Sequence, residues 1–197
     1  MYVVGFNGPP FSGKDTLAQM LVDKCEAEGV TIAIKQDSLS LPLREIAYKM
    51  VSLNYQPNEY NYSKFKETEF NLGGKPVTGR QLMIDVSEKF LKPVYSQRIM
   101  ADLLIERNKN FDGLLLIRDC GFQIEVDPLI EAYGHRNLRI VQVHRKGTSF
   151  LGDSREWVFP DLGREFTHVC NDGSLDDLRA EAVRIYEQLA NFLGWKL

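Results

Sequence analysis

The chain has 197 residues, 44% hydrophobic and 26% charged, a size and balance at which one compact α/β domain can bury its own core. Its net charge of −3 at pH 7 lacks the positive footprint that binding to nucleic-acid phosphates requires, so a nucleic-acid partner is disfavoured and a small phosphorylated ligand is not. Cys25, Cys120 and Cys170 are far apart and form no CxxC pair, which argues against a disulfide framework or a zinc site and for reduced thiols in or near the core of a cytoplasmic protein.

In chain order, Tyr2 to Phe6 is a β-prone apolar run ending in Asn7-Gly8, and Lys14 to Glu28 places Leu17, Met20, Leu21 and Cys25 at helical spacing. Gly29 ends that helix as a left-handed cap, and Val30 to Ile34 is predicted as the second strand of a parallel βαβ unit. Leu41 to Leu53 is helical, whereas Asn54 to Lys75 is polar and reads as an inserted, mobile segment on the substrate side. Thr78 to Glu106 is predicted helical with a break near Pro93, and Leu114 to Ile117 is a buried parallel strand ending at Arg118-Asp119. Leu129 to Tyr133 is helix and Leu138 to Val143 strand. The basic, aromatic stretch from Arg145 to Glu165 precedes a short β-like run, Phe166 to Cys170, and suits a lid. Ser174 and Asp177 form a capping box that opens a final helix through Phe192, with Leu178, Ala182, Ile185 and Leu189 on one face. The N-terminus carries no basic stretch and no run approaches the roughly 20 apolar residues of a membrane span.

The segment Gly8-Pro9-Pro10-Phe11-Ser12-Gly13-Lys14-Asp15-Thr16 is the chemical centre of this reading. A glycine-bearing loop between a strand and a helix can wrap a phosphate chain, because its N–H groups converge and the helix N-terminus adds positive partial charge. Gly8, Ser12, Gly13, Lys14, Asp15 and Thr16 are the ATP-side candidates, and Lys14 is the first catalytic candidate because its ammonium can follow the transferred group. The usual pattern places Ser or Thr directly after the lysine, whereas here Asp15 intervenes before Thr16.

This ending resembles the loop of phage-type deoxynucleoside monophosphate kinases within the P-loop nucleoside monophosphate kinase superfamily. Further segments are similar in order and spacing: Asp37 to Glu45, Thr78-Gly79-Arg80-Gln81-Leu82, Asp119 to Glu125, Gly152-Asp153-Ser154-Arg155, and Asn171-Asp172-Gly173-Ser174-Leu175. The resemblance implies one P-loop α/β domain over residues 1–197, with a five-stranded parallel sheet flanked by helices. It also implies a helical acceptor-binding insert at about 41–106 and a lid at 145–165. It implies transfer of the ATP γ-phosphoryl group to a deoxynucleoside monophosphate with Mg²⁺, in the cytoplasm, the host's if the protein is phage-encoded. A homodimer is a family expectation.

An acceptor phosphate beside ATP calls for arginines able to pair bidentately with phosphate oxygens. Arg44 and Arg80 are the acceptor-side candidates, with Gln81 offering an amide to a base edge and Lys92 standing where the family has arginine. Arg155, ahead of Arg145, is the candidate to close on the transferred phosphoryl group. Asp119 ends a strand at the ligand-binding edge of the sheet and is a catalytic candidate. With Asp15 and Thr16 it is also a candidate to hold the metal through water. Gly121 occupies a place where the family often has arginine. Asn171 and Gly173 are either adenine contacts, as the resemblance implies, or a turn and a cap. His135, His144 and His168 lack metal-ligand spacing and read as structural, and Trp157 either stacks on a base or packs. Two alternatives remain: another small acceptor, as in dephospho-coenzyme A or phosphomevalonate kinases, and a nucleotide-binding regulator without transfer activity.

Overall fold

The computed structural model describes residues 1–53, 59–159 and 167–194, which form two compact units, Met1–Ser38 with Leu104–Leu197, and Leu39–Leu103. In the first unit, β1 (Tyr2–Asn7), β2 (Ile34–Asp37), β5 (Leu114–Ile117), β6 (Leu138–His144) and β7 (Thr167–Cys170) form a parallel five-stranded sheet in the order β2-β5-β1-β6-β7. This is the α/β architecture expected from the sequence. β1 and β5 are buried along their whole length, which is why they read as near-continuous apolar runs: a parallel sheet is covered on both faces. On one face α1 (Lys14–Ala27) and α8 (Leu175–Leu193) pack Leu17, Leu21, Leu178, Ile185 and Leu189 against Val4, Phe6, Leu116 and Val143. Each such leucine contributes about 1.5–3 kcal/mol on burial. The helix α7 (Gln123–Tyr133) begins earlier than its predicted start at Leu129 and carries Pro128 inside it.

The second strand departs from its predicted place. Val30 N–H donates to the Cys25 carbonyl at 3.0 Å and Gly29 N–H to that of Glu26 at 3.0 Å, with Gly29 at φ 67°. That pair of bonds is a Schellman motif, so Val30 still belongs to the exit of α1. The ladder with β5 starts only at Ile34, paired with Leu114. The capping box at Ser174 and Asp177 is present as predicted.

The second unit holds α2 (Leu41–Met50), α3 (Glu59–Glu67), the antiparallel hairpin β3 (Glu69–Leu72) and β4 (Lys75–Thr78), and α4 (Gly79–Asp85). A π-helical turn (Val86–Leu91), α5 (Lys92–Val94) and the start of α6 (Ile99–Asn108) follow, so the predicted break near Pro93 is real. The reading of 54–75 as a polar mobile segment is corrected for its described part. Residues 59–67 are helix and 69–72 a strand, while 54–58 lie outside the described residues. Gly73 and Gly74 at φ 60° and 81° give the positive-φ pair that a two-residue hairpin turn needs. Tyr48 and Phe65 stack with ring centroids 4.0 Å apart in a core shared with Ala47, Leu82 and Met83. Among the described residues no helix is long and apolar enough to cross a membrane.

Candidate functional site

The loop after β1 is built around Gly13, which takes φ 95° as N-cap of α1, and around a turn closed by Ser12 N–H on the Pro9 carbonyl at 3.2 Å. Lys14, the first helical residue, is only 8% exposed and curls back so that Nζ donates to the Pro9 carbonyl at 3.4 Å. Burial lowers the Lys14 pKa. Asp15 counters that shift, Arg155 adds to it, and Asp119 and Asp153 counter it. The catalytic candidates Lys14, Asp119 and Arg155 are therefore gathered in one electrostatic neighbourhood at the C-terminal edge of the sheet, where open α/β folds place ligands. Ser12 Oγ is buried without a hydrogen-bond partner, crowded against Gly8, while Asp15 and Thr16 are exposed.

Asn171 serves the loop from below. Its side-chain amide donates to the Ser12 carbonyl at 2.8 Å and its own N–H to the His144 carbonyl at 2.7 Å. Gly173, which follows, is crowded against Asp177, whose carboxylate closes the capping box on Ser174.

At the end of β5, Asp119 Oδ2 accepts a 2.6 Å hydrogen bond from Ser38 Oγ, at the end of the neighbouring strand β2. Ser38 follows Asp37, whose buried carboxylate accepts from Ser38 N–H at 2.7 Å, Arg107 Nη2 at 3.0 Å and Asn108 Nδ2 at 2.7 Å. Ser38, Arg107 and Asn108 were not among the sequence candidates. The signal that finds them is topological, because only the adjacency of β2 and β5 sets Ser38 beside Asp119.

The segment expected to be a lid is held in its described part by side-chain amides. Asn7 Nδ2 donates to the carbonyls of Cys120 at 2.7 Å and Glu156 at 3.0 Å, while its Oδ1 accepts from Val158 N–H at 3.2 Å. Gln142 Nε2 donates to the Val158 carbonyl at 2.8 Å, and Gln123 exchanges bonds with the N–H and carbonyl of Phe159 at 2.9 and 3.0 Å. Arg155 forms a bidentate pair with Asp153, and Arg145 Nη1 donates to the Phe11 carbonyl on the loop at 3.4 Å. Residues 160–165, including Arg164, lie outside the described set.

Trp157 packs rather than being displayed for a base, with its ring 3.8 Å from that of His144 and 10° from parallel. His168 lies 3.9 Å away on the same imidazole. Burial, and then the neighbouring His168, push the His144 pKa below its ordinary value. An imidazole whose folded pKa is depressed binds its proton first in the unfolded chain. The stack's contribution is thus complete above a pH of about 6.5 and is lost as pH falls through that value toward the folded pKa. Acid titration of Trp157 fluorescence in a Trp195→Phe background is expected to show a transition below that pH, and His144→Phe to abolish it. A transition that survives His144→Phe would assign it elsewhere.

The acceptor-side candidates lie in the second unit. Arg44 is buried, its guanidinium 4.0 Å over the Tyr62 ring and its Nε donating to Ser40 Oγ at 3.2 Å. Lys92 is also buried and pairs with Glu88 at 2.6 Å. Arg80 and Gln81 are exposed on α4. Arg80 pairs with Glu67 at 3.3 Å, and Gln81 Nε2 donates to Asp85 at 2.8 Å. Lys89 and then Gln81 hold the Asp85 carboxyl below the usual range. Cys25 and Cys120 are core thiols as expected. Cys170, at the end of β7, is exposed, a correction that follows from the outward turn of alternate β7 residues.

No family model matches the chain, and comparison with curated proteins gives no match. Among solved structures the chain is similar to a gluconokinase from Sinorhizobium meliloti 1021, at 13% identity over 98% of this chain and 96% of that one, with a TM-score of 0.48. It is similar to a sugar kinase from Janibacter sp. HTCC2649, unliganded, at 15% identity over 98% and 95% of the two chains, with a TM-score of 0.41. A third similarity is to the APS kinase of Mycobacterium tuberculosis in complex with AMPPNP and APS, at 14% identity over 94% and 97%, with a TM-score of 0.42.

Proposed function

We propose that the chain is an ATP-dependent phosphotransferase that moves the γ-phosphoryl group to the 5′-phosphate of a deoxynucleoside monophosphate, giving the diphosphate and ADP. The observation that carries this reading is Lys14, a buried ammonium in the glycine-bearing loop after β1, under the combined charge of Asp15, Arg155, Asp119 and Asp153. A lysine kept from water there is stabilised by a polyanion, because phosphate oxygens offset the desolvation that lowers its pKa.

Chemically, an oxygen of the acceptor phosphate attacks the γ-phosphorus in line as its bond to the β,γ-bridging oxygen breaks, and ADP leaves with that bond's electron pair. The N–H groups from Gly13 to Thr16, at the start of α1, would face the phosphate chain, while Ser12 N–H stays on the Pro9 carbonyl and Asn171 engages the Ser12 carbonyl. Lys14 and Arg155 share the charge on the transferred group, with Arg145 at the loop's rim. Asp119, oriented by Ser38, together with Asp15 and Thr16 would supply oxygen ligands to Mg²⁺, directly or through water. When bound, the ion neutralises phosphate charge. Among the described residues no cluster of three His, Cys, Asp or Glu side chains is placed to hold a metal. Arg44 is the acceptor candidate favoured by its burial, and the cytoplasmic location and homodimer of the resembled family belong to the same reading.

The bonds of Gln81 to Asp85 and of Arg80 to Glu67 favour a second reading, a non-nucleotide phosphorylated acceptor of the kind used by dephospho-coenzyme A or phosphomevalonate kinases. The test is ADP formation from Mg-ATP against deoxy- and ribonucleoside monophosphates, dephospho-coenzyme A and phosphomevalonate. A deoxynucleotide should raise turnover above the ATP-only rate. If only a non-nucleotide acceptor does so, the second reading replaces the first, and if ATP binds but nothing raises turnover, the chain is a nucleotide-binding regulator.

A further inference from the structure

We propose that Asp153 is a positioning residue that sets Arg155 for the terminal phosphate of ATP, with Gly121 as the seat of the arginine's stem. The inference rests on the reading of the Lys14 loop as an ATP site.

Arg155 is fixed at both its backbone and its head. Its N–H donates to Asp153 Oδ1 at 3.0 Å, its Nε to the same oxygen at 2.9 Å, and its Nη2 to Asp153 Oδ2 at 2.5 Å. The next residue, Glu156, donates its N–H to the Gly121 carbonyl at 2.9 Å, and Asn7 bonds the Glu156 carbonyl from the other side. The pair is partly buried, with side chains 25% and 19% exposed, so it is less screened than a surface pair.

Gly121 explains itself in the same geometry. A Cβ built there would stand 2.7 Å from both Cγ and Cδ of Arg155 and 3.3 Å from its Cβ. Any side chain at 121 displaces the stem of Arg155. A side chain at 121 is therefore incompatible with Arg155 where it lies, and the bare Gly121 is what lets the arginine stem rest there.

An arginine carries five N–H donors in a planar fork, and Asp153 takes the Nε–Nη2 side of it. Holding that side fixes the plane and the direction in which the fork faces. A long side chain that reaches phosphate from a mobile state loses its rotamer freedom on binding, whereas one already locked in a carboxylate clamp has lost it in advance. Asp153 therefore acts through Arg155, on the phosphate that distinguishes ATP from ADP.

The experiment is calorimetric titration of the intact protein with Mg-ADP and with the Mg complex of the β,γ-imido analogue of ATP. The proteins are the wild type, Asp153→Asn, Gly121→Ala and Arg155→Ala, with melting temperatures measured alongside. The preference for triphosphate over diphosphate should fall about tenfold in Asp153→Asn and in Gly121→Ala, toward the level of Arg155→Ala, while ADP affinity stays within about twofold. Gly121→Ala removes no polar group, so it carries the test if Asp153→Asn folds poorly. A merely structural pair would change the melting temperature and leave the ratio alone. A competing carboxylate would raise the ratio when removed. Either result overturns the proposal while leaving the ATP reading intact. Wild-type protein that binds neither nucleotide would instead overturn that reading, and this inference with it.

Discussion

Lys14→Ala is expected to lower acceptor-stimulated ADP formation by about a thousandfold, the cost of removing a preorganised positive group from a phosphoryl-transfer transition state. The same substitution should leave the protein as stable as the wild type or more so. Burial lowers the Lys14 pKa in the folded chain, so near neutral pH the unfolded chain holds that proton more favourably and the ammonium costs stability; removing it relieves that cost. Loss of rate without loss of stability is what separates a functional lysine from a structural one. Lys14→Arg should not restore the rate, because a planar fork does not fit where a point charge curls onto the Pro9 carbonyl at 3.4 Å. Steady-state ADP release and urea unfolding on the same preparations decide it. A Lys14→Ala protein within tenfold of wild type would make Lys14 a helix-start residue and nothing more.

How much was legible in advance depended on whether the controlling contact was local. The loop, β1, β5 and the α8 cap were readable, because an apolar run, a glycine at a forced φ and a Ser-to-Asp spacing each carry their cause within a few residues. The shift of β2 was also local, but the signal was misread: Val30 has a strand former's side chain, yet its N–H closes the Schellman motif. The β3–β4 hairpin was hidden by polar residues in a small unit, although Gly73-Gly74 is a recognised turn signal. The candidate site was half legible. Lys14, Asp119 and Arg155 could be named from sequence, but the partners that orient them could not. Ser38 reaches Asp119 only through the pairing of β2 with β5, and Gly121 makes sense only once the Arg155 stem lies on it. On the acceptor side Arg80 and Gln81 could be named from their motif, but their exposure and their local carboxylate partners are properties that a short motif does not encode.

The second large effect concerns a carboxylate that does no chemistry. Asp37 is 3% exposed and satisfies Arg107, Asn108 and its own neighbour's N–H at once. Asp37→Ala removes the charged acceptor of a guanidinium and an amide in a place water reaches poorly, leaving Arg107 only the Ser38 carbonyl and Asn108 only the Leu104 carbonyl, and breaking such a pair from one side costs about 3–5 kcal/mol. For a chain of this length that corresponds to a fall of roughly 10 °C in Tm. The urea midpoint should drop with an unchanged m-value, since no large surface is exposed in the native state. Asp37→Asn keeps an oxygen for Ser38 N–H and Arg107 and should lose less than half as much. Because Arg107 Nη2 also donates to the Ser38 carbonyl at 3.0 Å, the network fixes the backbone from which Ser38 Oγ reaches Asp119. Ser38→Ala should accordingly reduce phosphoryl transfer with little change in the urea midpoint, whereas Asp37→Ala should lower both. Equal stability losses in the two variants would show that the Asp37 cluster and the Ser38 contact act as one structural unit, and Asp119 would lose its claim to be oriented for function.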